Sequence, residues 1–500
     1  MELFTMVLFT ASIGFVFLYS LIQLNLLVHY FRARSRPTVP IQAEALTEYP
    51  FVTIQLPVYN EFYVAARLID NICLLEYPKD RFEVQILDDS DDETSQIIAK
   101  KVQEYNALGF DIRQIQRSSR TGFKAGALAH GFESARGEFI AIFDADFLPL
   151  PGFLKEVIPY FGKPKIGVVQ TRWSYTNGGY SLLTAAQEFG LNGHFTVEQT
   201  GRNEGRHFIN FNGTAGVWRR SVILDSGGWN SDTLTEDLDL SYRAQLRGWK
   251  FKFVQNIPSP SELPVEMNAL RAQQFRWTKG AAQCVRKNLI AVIRSKSLPL
   301  STKIHAFFHL TNSTIFVFVF LLSLLILPVT IIKSTTDNFV WLTRLSSVFM
   351  ASWFILGLFY WTANRNAGES WKKYLLSFTW KFPLFLAISM GLSLHNAIAV
   401  VEGYIGRKSP FLRTPKFNVH DAEDRWETNR YVTRKISPYT WLEGAMLVYS
   451  IISLEVSIYY FSPGLLPMNI LLVGGYGIVF FGSILHSRRS VRQLRVREAY

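Results

Sequence analysis

Two aspartates one residue apart, Asp144 and Asp146, close an apolar run that begins at Phe139. The run Phe139-Ile140-Ala141-Ile142-Phe143 has the length and composition of a buried strand. Side chains alternate along a strand, so both carboxylates leave its end on the same side. At the mouth of a buried strand they repel each other and lose hydration, and a bound divalent cation is the usual compensation. Hard cations such as Mg2+ or Mn2+ prefer oxygen ligands and bridge readily to a diphosphate. Taken alone, an Asp-x-Asp pair fits a solvated surface turn equally well, so the rest of the chain must decide.

Other charged groups recur in similar settings. Asp88-Asp89 follows the strand-like stretch Phe82 to Leu87, and Asn60-Glu61 follows Val52-Thr53-Ile54-Gln55-Leu56-Pro57. Arg120 and Lys124 lie nearby in sequence and could meet phosphate oxygens. Neither G-x-x-x-x-G-K-[ST] nor G-x-G-x-x-G is present, so phosphate would be held by metal and side chains. Thr235-Glu236-Asp237 opens an amphipathic segment: it fits a helix cap, and it fits a general base at a helix start. Gln273-Gln274-Phe275-Arg276-Trp277 fits an interfacial Arg and Trp at a bilayer surface, or an aromatic platform for a sugar ring.

The elements that must position these groups alternate. Strands are expected over 52–57, 82–87, about 110–116 and 138–143, with helices through about Leu75, over about 93–107 and up to Ser134. That alternation predicts a doubly wound, mostly parallel α/β sheet. Ligands bind such sheets beyond the carboxyl ends of the strands, which gathers Glu61, Asp89, Asp144 and Asp146 on one edge.

Aromatic residues make up 15% of the 500, with 40 Phe, and the excess falls in long apolar stretches toward both ends. Leu3 to Phe31 is long enough to span a bilayer, and Arg32, Arg34 and Arg36 after it place the following residues in the cytoplasm. Further stretches lie at about 305–333, 338–363, 374–403, 439–461 and 464–487. If all five crossed, the basic tail would lie outside, against the positive-inside tendency. The segment 374–403 carries Lys381, Pro383, His395, Asn396 and Glu402 and reads as amphipathic, interfacial or re-entrant. The expected division is one spanning helix over 1–36, a cytoplasmic block over 37–300, and two spans over 301–363. An interfacial helix and loop follow over 364–438, then two spans over 439–487 and a basic tail over 488–500. Cys73 and Cys284 fall in the cytoplasmic block, where a structural disulfide is not expected. The net charge of +12 is partly topological, and no basic patch interleaves with a known nucleic-acid module, so a nucleic-acid partner is not expected.

These residues, in this order, resemble a family-2 inverting glycosyltransferase of the processive, membrane-embedded kind. The resemblance is to cellulose synthases and most closely to the plant cellulose-synthase-like A and C groups. It rests on Gln55–Glu61, Gln85–Ser90, Gly122–Leu128, Ile142–Phe147, His194–Gln199, Phe211–Gly216, Thr235–Asp237 and Gln273–Trp277. It implies a GT-A domain that uses a nucleotide-diphosphate sugar, UDP-glucose or GDP-mannose. Asp89, Lys124 and Asp144 would bind the donor, Asp144 and Asp146 would hold Mg2+ or Mn2+, and Asp237 would be the general base. Gln273, Arg276 and Trp277 would meet the acceptor and diphosphate, joined by His194, Asn212 and Gly213. Phe411-Leu412-Arg413-Thr414-Pro415-Lys416 resembles the gating loop of bacterial cellulose synthases, with Phe411, Thr414 and Lys416 on the pattern and Arg413 where Val is expected. The implied partners are the donor, a polysaccharide or lipid acceptor and the bilayer of a plasma or inner membrane, with the catalytic domain cytoplasmic. The implied product is a β-linked polysaccharide passed across the membrane. A non-processive glycolipid synthase, similar to ceramide glucosyltransferases, is the alternative.

Overall fold

The computed structural model describes residues 1–36, 48–365, 368–409, 413–420, 423–427, 429–432 and 436–498. Its soluble part is built on seven strands: β1 (Val52–Val58), β2 (Phe82–Asp88), β3 (Ile112–Gln116), β4 (Phe139–Ile142), β5 (Ile166–Tyr175), β6 (Gly216–Arg219) and β7 (Lys250–Ser261). They form one sheet in the order β3-β2-β1-β4-β6-β5-β7. The first four are the four strands expected from sequence, and β1 pairs in parallel with both β2 and β4. One face of β1 and β2 is apolar, while the other carries buried polar side chains that pair across the strands, Thr53 with Glu83 at 2.7 Å and Gln55 with Gln85 at 2.9 Å. One face packs Val52, Ile54, Leu56, Val84 and Phe139 against the helix Ala65–Cys73. The other packs Leu87, Ile140, Ile142 and Trp218 against the helices Phe123–Glu133 and Glu236–Leu246.

β6 is the exception in direction: it runs antiparallel to β4 and to β5. β5 and β7 pair in parallel and so run the same way as β1–β4. The reversal has a consequence for the site. The carboxyl ends of six strands and the amino end of β6 meet on one edge, so Phe211–Ala215 arrives where Glu61, Asp89 and Asp144 leave. The β5–β7 ladder slips between Thr171 and Arg172, where β7 inserts residues before Pro258. Beyond the slip the two strands stay paired to their ends, Tyr175 opposite Ser261.

Five helices are long and apolar enough to cross a membrane: Glu2–Ser35, Asn312–Thr335, Val340–Asn364, Pro438–Tyr459 and Leu466–Arg488. They correspond to the five expected spans, and the chain is that of a membrane protein. The segment read from sequence as one interfacial helix over 374–403 is two, Trp371–Gly391 and Ser393–Ile405, bent by 50°. The two together are long and apolar enough to count as a sixth candidate. The expected span at 305–333 is also broken: Leu300–Leu310 and a short 3-10 turn precede Ile315–Thr335. Both cysteines are buried free thiols.

Candidate active site

One cavity opens at the carboxyl edge of the sheet. Asp89, Lys124, Asp144, Asp146, Asn212, Gly213, Asp237, Gln273, Arg276, Trp277, Thr414 and Lys416 all line it. Asp144 and Asp146 follow β4, which ends at Ile142, and lie in a turn closed by the Phe147 N–H on the Asp144 carbonyl at 3.0 Å rather than on the strand itself. Lys124, in the first turn of Phe123–Glu133, reaches Asp144 Oδ1 at 2.5 Å and donates to the Gly213 carbonyl at 2.9 Å. Burial opposes the Lys124 charge, but Asp144 and Glu236 hold it, and its pKa lies above the ordinary lysine value. Asp146 is buried and accepts from Lys416 Nζ at 2.7 Å and from the Glu262 backbone N–H at 3.2 Å. The adjacent carboxylates thus each face an ammonium group, supplied by residues far apart in the chain.

The loop ahead of β6 is pinned from below. Gln170 Oε1 accepts from the Asn212 N–H at 3.0 Å, and Gln170 Nε2 donates to the Thr214 carbonyl at 3.1 Å. Thr214 Oγ1 accepts from the Asp144 N–H at 2.9 Å, which ties this loop to the aspartate pair. Gly213 has φ +79°, a conformation that favours glycine. A Cβ there would lie 3.1 Å from Asp237 Oδ2 and 3.4 Å from Lys124 Nζ, so the position is also sterically closed. Asp237 and Lys124 therefore converge on Gly213.

Asp237 sits in the first turn of Glu236–Leu246. Thr235 is at the N-cap position, but its hydroxyl faces Cys284 Sγ at 3.4 Å and caps no backbone N–H. The helix is braced by Asp239, which accepts from Lys287 at 3.0 Å and Asn288 at 3.1 Å of the helix Met267–Arg294. That second helix carries Gln273, Arg276 and Trp277. Two buried ion pairs fix it to the membrane helices: Lys279 with Glu402 at 2.6 Å and Arg271 with Glu443 at 3.1 Å. Burial, and then the neighbouring Glu236 carboxylate, push the Asp237 pKa upward, and Lys124 opposes the shift. Burial likewise raises Glu236. Burial lowers the pKa of Arg276, while Asp144, Glu236, Asp237 and Asp146 oppose that shift, so its charge lies in the field of all four.

His194 does not line the cavity. It sits behind Asn212, in the π-helical turn Gly193–Glu198, with Nε2 3.1 Å from Asn212 Oδ1 and Nδ1 3.0 Å from Glu198 Oε2. Against burial, Arg202 and His194 hold the Glu198 carboxyl well below the usual range. Arg413, Thr414 and Lys416 of the segment 413–420 line the cavity. Arg413 pairs with Glu61 at 2.9 Å, and the Phe417 and Asn418 N–H groups each donate to Glu262 at 2.9 Å. Burial pushes Glu61 up to about 7, with Arg413 opposing. Phe411 lies outside the described residues.

Several residues escaped the sequence reading. Arg117 grips Asp89 with two nitrogens, Nε to Oδ1 at 2.9 Å and Nη2 to Oδ2. It follows β3 directly, so the strand-end rule that found Asp89 would have found it too. Glu262 follows β7 in the same way, but β7 was not foreseen.

The fold and this edge are those of a GT-A glycosyltransferase. Residues 50–280 match the model of "Glycosyltransferase like family 2", and the chain belongs to that family. It is similar to "Glucomannan 4-beta-mannosyltransferase 7" of Arabidopsis thaliana, 40% identical over 292 residues, which are 57% of this chain and 52% of that protein. "Probable glucomannan 4-beta-mannosyltransferase 11" of the same plant is 38% identical over 59% of this chain and 68% of its own length. The chain thus spans about half to two thirds of the curated relatives it matches. Among solved structures, the mannosyltransferase PcManGT from Pyrobaculum calidifontis, in complex with GDP-Man and Mn2+, shares the fold. Its TM-score is 0.55 at 18% identity, over 81% of this chain and all of that one.

Proposed function

We propose that this protein is a membrane-embedded inverting hexosyltransferase that extends a β-linked glycan from a nucleotide-diphosphate sugar. Of the two donors considered, GDP-mannose is favoured, because the relatives are named glucomannan 4-beta-mannosyltransferases. One observation carries the reading: an acid pair, a buried base, a buried arginine and a tryptophan share a single cavity at the sheet's carboxyl edge.

Asp237 takes the proton from the acceptor hydroxyl as that oxygen attacks the anomeric carbon. The bond from that carbon to the diphosphate breaks in the same displacement, so an α-linked donor gives a β-linkage. The burial that raises the Asp237 pKa makes it a stronger base than a solvated carboxylate. Arg276 and Lys124 face the charge that gathers on the leaving diphosphate. Asp89, held by Arg117, lies on the nucleotide side. Trp277 and Gln273 offer a ring and an amide to the acceptor sugar, while His194 orients Asn212 from behind.

The aspartates suit a divalent cation. Asp144 is 35% exposed toward the cavity, and among the described residues no three His, Cys, Asp or Glu side chains converge on one point. The protein would thus supply two hard carboxylate ligands and leave the remainder to diphosphate and water, as Mg2+ or Mn2+ accepts. Bound there, the cation would neutralise the diphosphate. Thr414 and Lys416 would act as a gate, since both line the cavity on a segment held to Glu61, Asp146 and Glu262. The glycan would leave through the membrane part. The arginines after the first helix support a cytoplasmic catalytic domain.

The test is incubation of the detergent-purified protein with GDP-mannose or UDP-glucose, with Mn2+, Mg2+ or EDTA, followed by sizing of the product. A long, EDTA-sensitive β-glycan from GDP-mannose is expected. A single sugar on a lipid would select the glycolipid alternative, and transfer undiminished by EDTA would remove the metal.

A further inference from the structure

The wall of the cavity formed by the end of β5 has no role so far. Trp173 and Tyr175 are two residues apart on that strand, so both project to the same side, and both line the cavity. The Trp173 indole is held rigidly. It stacks on Phe195 at 4.7 Å and 24°, and meets the edge of Phe147 at 5.1 Å. The indole nitrogen of Trp173 and the hydroxyl oxygen of Tyr175 are buried without a hydrogen-bond partner. Burial and the nearby Glu188 keep the phenol protonated, and therefore a donor. Buried polar groups in folded proteins are nearly always paired, so two orphans on one stretch of cavity wall call for a ligand.

The position of the wall narrows the choice. Leu191 continues it from the helix Leu182–Asn192. That helix lies against the helix Trp371–Gly391, since a Cβ on Gly190 would come within 2.4 Å of the Phe385 ring. The wall therefore lies between the reacting edge and the membrane helices. A rigid aromatic face beside hydroxyl and N–H donors, with no full charge of its own, matches a neutral sugar ring better than a phosphate or a base.

We infer that Trp173 and Tyr175 form a second glycan subsite, which holds a sugar of the acceptor chain behind the one that reacts. This rests on the hexosyltransferase reading given above. The indole carries the ring, and the phenol donates to a sugar hydroxyl. The subsite makes the enzyme prefer an acceptor that already spans both positions, and it directs the chain toward the membrane helices.

The experiment compares β-1,4-linked manno-oligosaccharides of increasing length as acceptors for wild type, Tyr175→Phe and Trp173→Ala. In wild type, kcat/KM rises steeply once the acceptor reaches the subsite. Tyr175→Phe, which removes only the hydroxyl, cuts that gain about threefold to tenfold. Trp173→Ala cuts it about tenfold or more, through acceptor KM. Trp173 also packs against buried core residues, so its variant can fail to fold; Tyr175→Phe then decides alone, with binding of the nucleoside diphosphate as the check on folding. A wild type that elongates, beside variants that keep the full gain with length, overturns the subsite. A wild type that transfers hexose to no oligosaccharide removes the functional reading itself, a result distinct from the first.

Discussion

The two sides of the cavity solve opposite problems. On the donor side four carboxylates have a cationic partner from the protein: Asp89 has Arg117, Asp144 has Lys124, Asp146 has Lys416 and Glu61 has Arg413. On the acceptor side the amide nitrogen of Asn212, the indole of Trp173 and the phenol of Tyr175 are buried and unpaired. The contrast follows from cost. An unpaired buried charge is penalised far more heavily than a neutral donor, for which the penalty is about 1–3 kcal/mol. The fold therefore supplies countercharges to the carboxylates where a charged donor is to bind, and leaves three neutral donors open where neutral hydroxyls are to bind. Donor entry is then an exchange of ion partners, whereas acceptor entry completes hydrogen bonds that the protein leaves open.

Asp237 stands on the seam between the sides, and its loss has the largest expected effect. Asp237→Asn keeps the shape and removes the base, so transfer falls about 10²–10⁴-fold. Calorimetric titration with GDP and Mn2+ should still show binding, because the donor-side ion pairs remain. Transfer at the wild-type rate would move the base elsewhere and dissolve the division.

The exchange idea itself is tested at Lys416. Its ammonium group occupies Asp146, a position a divalent cation would need. Lys416→Met removes the competitor while keeping the length of the side chain. The affinity for Mn2+ without donor should rise about tenfold, a charge-assisted hydrogen bond being worth about 1.5–3 kcal/mol. Electron paramagnetic resonance of free Mn2+ reads this directly. Unchanged or weaker Mn2+ binding would mean that Lys416 assists the cation rather than standing in for it.

The same two sides differ in how much of them could be read from the sequence. The donor side follows β1–β4, the strands expected from sequence, and acids follow three of them: Glu61 after β1, Asp89 after β2 and Asp144 after β4. Parallel direction followed from the alternation with helices, and with it the grouping of Asp89, Asp144 and Asp146; the strand order did not. The other side depends on β6, which is four residues long and reversed, and on β7, which holds Pro258 and Pro260 and a register slip. Neither has a clean period, so Glu262 had no strand end to mark it, and β5, which ends at Tyr175, was not among the expected strands. Lys416 and Arg413 reach the cavity from a segment more than 250 residues beyond Asp146, and only their likeness to a gating loop flagged them. His194 was placed with the acceptor residues and stands one layer back, a distinction that depends on side-chain packing and not on spacing.

The smallest expected effect separates charge from position on the seam. Glu236 is buried beside Asp237, and its carboxylate is the second cause, after burial, of the raised Asp237 pKa. The base works when deprotonated, so kcat/KM for the acceptor falls as pH drops through that pKa. Because the pKa is raised, the acid limb lies above the usual aspartate range. Glu236→Gln removes a negative neighbour, makes the Asp237 carboxylate easier to form, and moves the limb to lower pH. Relative to its own plateau, the variant should then gain about twofold to tenfold at pH values below the wild-type limb. A limb that stays in place would assign the raised pKa to burial alone. A limb that moves upward would show that Glu236 holds Lys124 near Asp237, which would make the seam a three-group cluster and not a buried base with one repelling neighbour.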